Sequence, residues 1–82
     1  MITHVAIRWD DRVYSQPKPY RHWNVLAFMH NDGINDFGNE TQGFLTDEGY
    51  FLDRYDAAQH ALKCGQVKKL QVPPRLYSED LW

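Results

Sequence analysis

Arg21-His22, Gln42 and Arg54 are the side chains best suited to hold a negatively charged ligand. Arg21 and His22 stand where a helix is expected to begin. There, unpaired backbone N–H groups and the positive end of the helix dipole favour phosphate, and both side chains add charge-assisted donors. A solvated first helical turn is the plain alternative for this pair. Gln42 opens an expected hairpin together with Gly43, and Arg54 opens a second helix directly after Asp53. Arg54 has a second possible role, pairing with Glu79-Asp80 near the end of the chain.

The remaining reactive side chains point to no catalytic set. Four histidines, at positions 4, 22, 30 and 60, have no spacing that builds a metal site with nearby cysteine or carboxylate ligands. His22 and His30 would lie two helical turns apart, roughly 12 Å, too far to share one ion. A lone thiol, Cys64, allows neither an internal disulfide nor a paired-cysteine zinc site, and its expected role is that of a small buried hydrophobe. Asp10-Asp11, Asp47-Glu48, Asp53 and Asp56 suit turns and helix caps. Glu79-Asp80 is either a solvated acidic end or a docking element, and flanking Tyr77, Leu81 and Trp82 favour docking, because a terminal Trp is costly to leave in water. No nucleophile, base and orienting group form one set, and no Gly-rich phosphate loop occurs, so neither catalysis, a cofactor nor a metal is expected. Lys68-Lys69 with Arg75 form the one basic concentration, and with a net charge of −2 the chain lacks the basic excess of nonspecific nucleic-acid binders.

These groups must be positioned by a small scaffold. Eighty-two residues, 43% hydrophobic and 24% charged, describe a single globular domain spanning residues 1–82, with 71–82 a C-terminal tail expected to pack on the body or on a neighbouring subunit. A domain of this size buries only about 60% of its unfolded surface, so an aromatic core or homo-oligomerisation is expected to supplement it. No apolar run approaches a membrane span and no secretory leader pattern opens the chain, so a cytoplasmic location is expected.

Val5, Ile7 and Trp9 alternate before Asp10-Asp11 and the return through Val13 and Tyr14, which predicts a β-hairpin over residues 4–14. Pro17 and Pro19 make 15–20 a connector. Trp23, Val25, Leu26, Phe28 and Met29 predict a first helix over 20–31, stopped by Gly33. Turn formers fill a loop over 31–41, and a second hairpin follows, 42–46 and 50–52 around Asp47-Glu48-Gly49. Asp53 caps a second helix with an apolar stripe of Ala57, Ala58, Ala61 and Leu62, ended by Gly65, and 67–70 is expected as an edge strand. The fold class is therefore α+β: a small antiparallel sheet from two β-hairpins packed against two helices, in ββαββα order.

Gln42-Gly43-Phe44-Leu45-Thr46, Gly49, Phe51-Leu52-Asp53-Arg54, Ala57-Ala58, Gly65-Gln66 and the closing Leu76-Tyr77-Ser78-Glu79-Asp80-Leu81-Trp82 form a pattern covering nearly the whole chain. It resembles a widespread family of small bacteriophage and prophage proteins, whose members also begin with an Ala-Ile-Arg type strand, here Ala6-Ile7-Arg8, and start their first helix with Arg-His. The resemblance implies a phage origin and action in the host cytoplasm, with no settled reaction. It suggests two counter-defence roles. In one, an oligomer sequesters a host immune nucleotide, with Arg21, His22 and Arg54 on phosphate and Trp or Tyr faces on the base. In the other, the protein occludes a host defence complex in the manner of an anti-CRISPR protein, with Tyr77, Glu79, Asp80 and Trp82 as tail-docking or partner-binding anchors.

Overall fold

The computed structural model describes residues 1–35 and 38–82, so Asp36 and Phe37 of the expected 31–41 loop lie outside the described residues. Two hairpins and two main helices follow in the expected order: β1 (Ile2–Trp9), β2 (Arg12–Pro17), α1 (His22–Asn31), β3 (Thr41–Thr46), β4 (Phe51–Asp53) and α2 (Arg54–Lys63), and a short α3 (Ser78–Leu81) ends the chain. The four strands form one antiparallel sheet in the order β2-β1-β3-β4. The fold is α+β with ββαββα order.

Asp10 and Asp11 join β1 to β2 with positive φ at both positions, 49° and 60°. That is the backbone of a two-residue hairpin turn whose twist matches the strands, and Asp is among the few side chains that tolerate it. β2 runs on to Pro17, through residues expected as a connector. It is an edge strand, where a proline without an N–H is tolerated.

The pairing of β1 with β3 shifts register between Ile2 and His4. This irregularity lets Ile2 join Val5 and Ile7 in the core, which simple alternation from Val5 to Trp9 could not foretell. Val25 and Met29 of α1, Ile34 just after it, Phe44 of β3, Ala57, Ala58 and Ala61 of α2, and Val67 and Leu76 complete that core. The alanines allow α2 to lie close on β3 and β4, while Leu62, expected in the same stripe, is partly exposed. Cys64, expected to be buried, is exposed at the C-terminal cap of α2.

The segment 67–70 forms no strand. Val67 donates its N–H back to the Ala61 carbonyl at the end of α2 and drops into the core, so the chain is drawn under the helix instead of along a sheet edge. After it, Val72 and Arg75 form an isolated bridge around Pro73-Pro74. This small turn delivers Leu76 to the core and Arg75 to the surface.

Candidate functional site

Asp53 caps α2 by accepting the Tyr55 and Asp56 N–H groups at 3.0 and 2.8 Å, as its position before the helix predicts. The cap fixes Arg54, the first helical residue, against the sheet. Its guanidinium donates through Nη1 to the Leu76 carbonyl at 2.8 Å and through Nη2 to Gln42 Oε1 at 2.7 Å, and lies 4.3 Å from the centroid of the Tyr77 ring. The Leu76 N–H returns a bond to the Arg54 carbonyl at 3.0 Å, so the C-terminal segment and α2 are tied in both directions.

His22, the first residue of α1, is 7% exposed and donates from Nε2 to the Gly43 carbonyl at 2.7 Å. A carbonyl only accepts, so Nε2 carries the ring hydrogen and Nδ1 is the acceptor facing Arg54 Nη2 at 3.4 Å. Burial pushes the His22 pKa down to about 4; the Gly43 bond works against that shift and the Arg54 charge adds to it. The ring is neutral at physiological pH and sits edge-on to Phe44, with ring centroids 5.0 Å apart.

Arg21 precedes α1 as its N-cap. Its backbone N–H donates to Asn24 Oδ1 at 2.8 Å, and its Nη1 donates to the buried Ser78 hydroxyl at 3.1 Å. Ser78 in turn donates to Glu79 Oε1 at 3.0 Å, and that oxygen is 4.0 Å from Arg21 Nη1. Burial acts to raise the Glu79 pKa but is outweighed by hydrogen bonds from its backbone and Ser78 and by the charges of Arg21 and Arg54, so the carboxyl lies below its ordinary range. Asp80 accepts from the N–H groups of Gln71 and Tyr77, both at 3.0 Å, and Trp82 Nε1 donates to the Tyr20 carbonyl at 3.1 Å. Tyr77, Glu79 and Trp82 therefore contact the body of their own chain, through Arg54, Arg21 and Tyr20, while Asp80 braces the tail internally.

Beside this network lies a groove of about 330 Å³ lined by Glu40, Thr41, Gln42, Asp53, Arg54, Tyr55 and Arg75. Of the four residues expected at an anion site, Gln42 and Arg54 line it, whereas Arg21 and His22 do not. Arg75, Tyr55, Thr41 and Glu40 are additions that sequence reasoning missed; the stiff Pro73-Pro74 pair just before Arg75 was the available signal. Arg54 spends three of its five N–H donors on Leu76, Gln42 and His22, which leaves two. Burial lowers the Arg54 pKa, Tyr77 and Glu79 oppose this, and the neighbouring Arg75 charge lowers it further. Among the described residues neither arginine forms an ion pair. Two guanidiniums thus share one groove with two carboxylates, Glu40 and Asp53, and are ion-paired with neither, which leaves both able to hold an anion locally.

A second hollow, about 200 Å³, is lined by Met1, Ile2, Thr3, Lys18, Gln66, Leu81 and Trp82 and offers one side-chain cation. Among the described residues no three His, Cys, Asp or Glu side chains converge on a point that could hold a metal ion, and no helix is long and apolar enough to cross a membrane.

The family model described as Phage T4 y16D protein matches residues 1–82, and the chain belongs to that phage family. No curated protein and no solved structure matches it.

Proposed function

We propose that this member of the phage T4 y16D family is a counter-defence protein that acts without catalysis, binding and sequestering a host immune nucleotide in the cytoplasm of the infected cell as a homo-oligomer. The observation that carries the reading is the Arg54–Arg75 pair, lining one groove with no ion-pair partner for either guanidinium among the described residues. Tyr55, more than half exposed on the groove wall, offers a ring for a base to stack on, and Thr41 and Gln42 add polar groups for a sugar or base edge. The groove lies within the size range of small-molecule sites. The reading keeps Arg54 as a phosphate contact and replaces Arg21 and His22, whose side chains face the C-terminal segment and Gly43, with Arg75.

Native mass spectrometry of the protein purified from defence-positive host cells tests this, since one spectrum reports both stoichiometry and retained mass. The expected result is a defined oligomer carrying added mass of nucleotide size, absent from Arg75→Ala. That side chain is exposed and holds no other element, so its removal leaves the fold intact. A bare protein in both preparations would overturn the reading.

A second reading, occlusion of a host defence complex, draws on one specific observation. Trp23, 68% exposed, and Phe28 flank the outer face of α1, and Tyr20 packs edge-on to Phe28 at 6.1 Å between ring centroids. Exposed Trp and Tyr are frequent anchors of protein interfaces. Restored host defence in cells expressing Trp23→Ala, with nucleotide binding unchanged, would favour this reading over sequestration.

A further inference from the structure

We infer that the groove selects a nucleotide with a single phosphodiester charge and a guanine base, and rejects nucleoside triphosphates; the inference rests on the groove being the nucleotide site proposed above.

The charge layout carries the first half. Arg54 and Arg75 share the groove wall with two carboxylates, Glu40 and Asp53, so the lining is formally neutral. Asp53 is fixed there by its two cap bonds to α2 and cannot swing away without uncapping the helix. A triphosphate would bring several negative charges past both acids, whereas a cyclic phosphodiester brings one, which two guanidiniums can hold at a distance from the carboxylates.

Glu40 carries the second half. Its Oε2 is buried with no hydrogen-bond partner, and the side chain makes no ion pair among the described residues. A buried acceptor without a donor is costly, and since the Glu40 side chain lines the groove, a donor entering there relieves that cost. A carboxylate only accepts, so the base that satisfies it must present donors. Guanine offers N1–H and the N2 amine side by side, matching two carboxylate oxygens. Adenine sets its one amine beside an acceptor nitrogen, which a carboxylate repels. With the guanine edge on Glu40, the phosphate is left for Arg54 and Arg75, and Tyr55 is placed to cover the base face.

Isothermal titration calorimetry of the full chain with 3′,5′-cyclic GMP, 3′,5′-cyclic AMP and GTP tests this, using wild type and Glu40→Gln, a near-isosteric change that removes the charge. Cyclic GMP is expected to bind wild type at least tenfold more tightly than either other nucleotide. Glu40→Gln is expected to lose about tenfold in cyclic GMP affinity and to gain affinity for GTP. Binding of GTP or cyclic AMP as tight as that of cyclic GMP, or an unchanged profile in Glu40→Gln, would overturn the inference while leaving the groove a nucleotide site. Absence of binding by all three would overturn the site itself.

Discussion

His22 and Arg54, the first residues of the two main helices, meet at 3.4 Å between Nδ1 and Nη2, although 32 positions separate them in sequence. Through His22 the contact continues to the Gly43 carbonyl, and through Arg54 to Gln42 and the Leu76 carbonyl. Both helix starts, the central strand β3 and the C-terminal segment are thus joined by two side chains.

Arg54→Ala removes the donor that holds Leu76 and Gln42 and the cation stacked on Tyr77. The expected cost is about 2–4 kcal/mol, because buried acceptors lose their partner along with the packing. Thermal unfolding reads the loss, and amide hydrogen exchange is expected to speed up most over residues 76–82. Arg54→Lys should not restore stability, since an ammonium cannot serve two acceptors in the fixed fork of a guanidinium.

Arg21→Ala should behave differently. Its contact with Glu79 is long and partly exposed, with side-chain exposures of 31% and 57%, and pairs of that kind contribute little. A loss of about 1 kcal/mol is expected in chemical denaturation, chiefly from the lost Arg21–Ser78 hydrogen bond, with nucleotide affinity unaltered because Arg21 does not line the groove.

Acidification should destabilise the protein through His22. The folded state keeps this ring neutral down to a pKa of about 4, while the unfolded chain protonates it near 6.5. Between those values the unfolded state binds more protons, so stability falls as pH drops from about 6.5 to about 4, by roughly 3 kcal/mol in all, and then levels off for this group. Glu79, whose pKa is lowered in the folded state, adds a loss of the same sign at low pH. Urea unfolding across this pH range measures the effect, and His22→Gln should flatten the part between 6.5 and 4.

Gly43→Ala should cost about 2 kcal/mol or more. A Cβ at this position would strike the Leu52 carbonyl oxygen and lie 2.8 Å from Phe51 Cζ, and the same residue supplies the carbonyl that fixes His22. The lowered melting temperature should come with weaker closure of β3 on β4.

Local signals carried the sequence reading far. The Asp53 cap, the Asp10-Asp11 turn, the alanine face of α2 and the two-hairpin order are written in adjacent residues, where capping, turn chemistry and periodicity act. Arg21-His22 and Arg54 were legible as residues placed at helix starts, but their partners were not, because Gly43, Ser78 and Leu76 reach them only through the tertiary fold. The four-residue α3 is too short to show a period, and the irregularity that buries Ile2 with Val5 depends on pairing with β3. Arg75 read as part of a basic cluster with Lys68-Lys69; only the turn at Pro73-Pro74 shows it beside Arg54.

The most direct test of the groove as a nucleotide site is a ¹H–¹⁵N NMR titration of the full chain with 3′,5′-cyclic GMP, following backbone amides and arginine Nε–H signals. Saturable shifts concentrated at Thr41, Gln42, Arg54, Tyr55 and Arg75, and abolished in Arg75→Ala, are predicted. Shifts confined to the outer face of α1, around Trp23 and Phe28, or no saturable shifts at all, would contradict it.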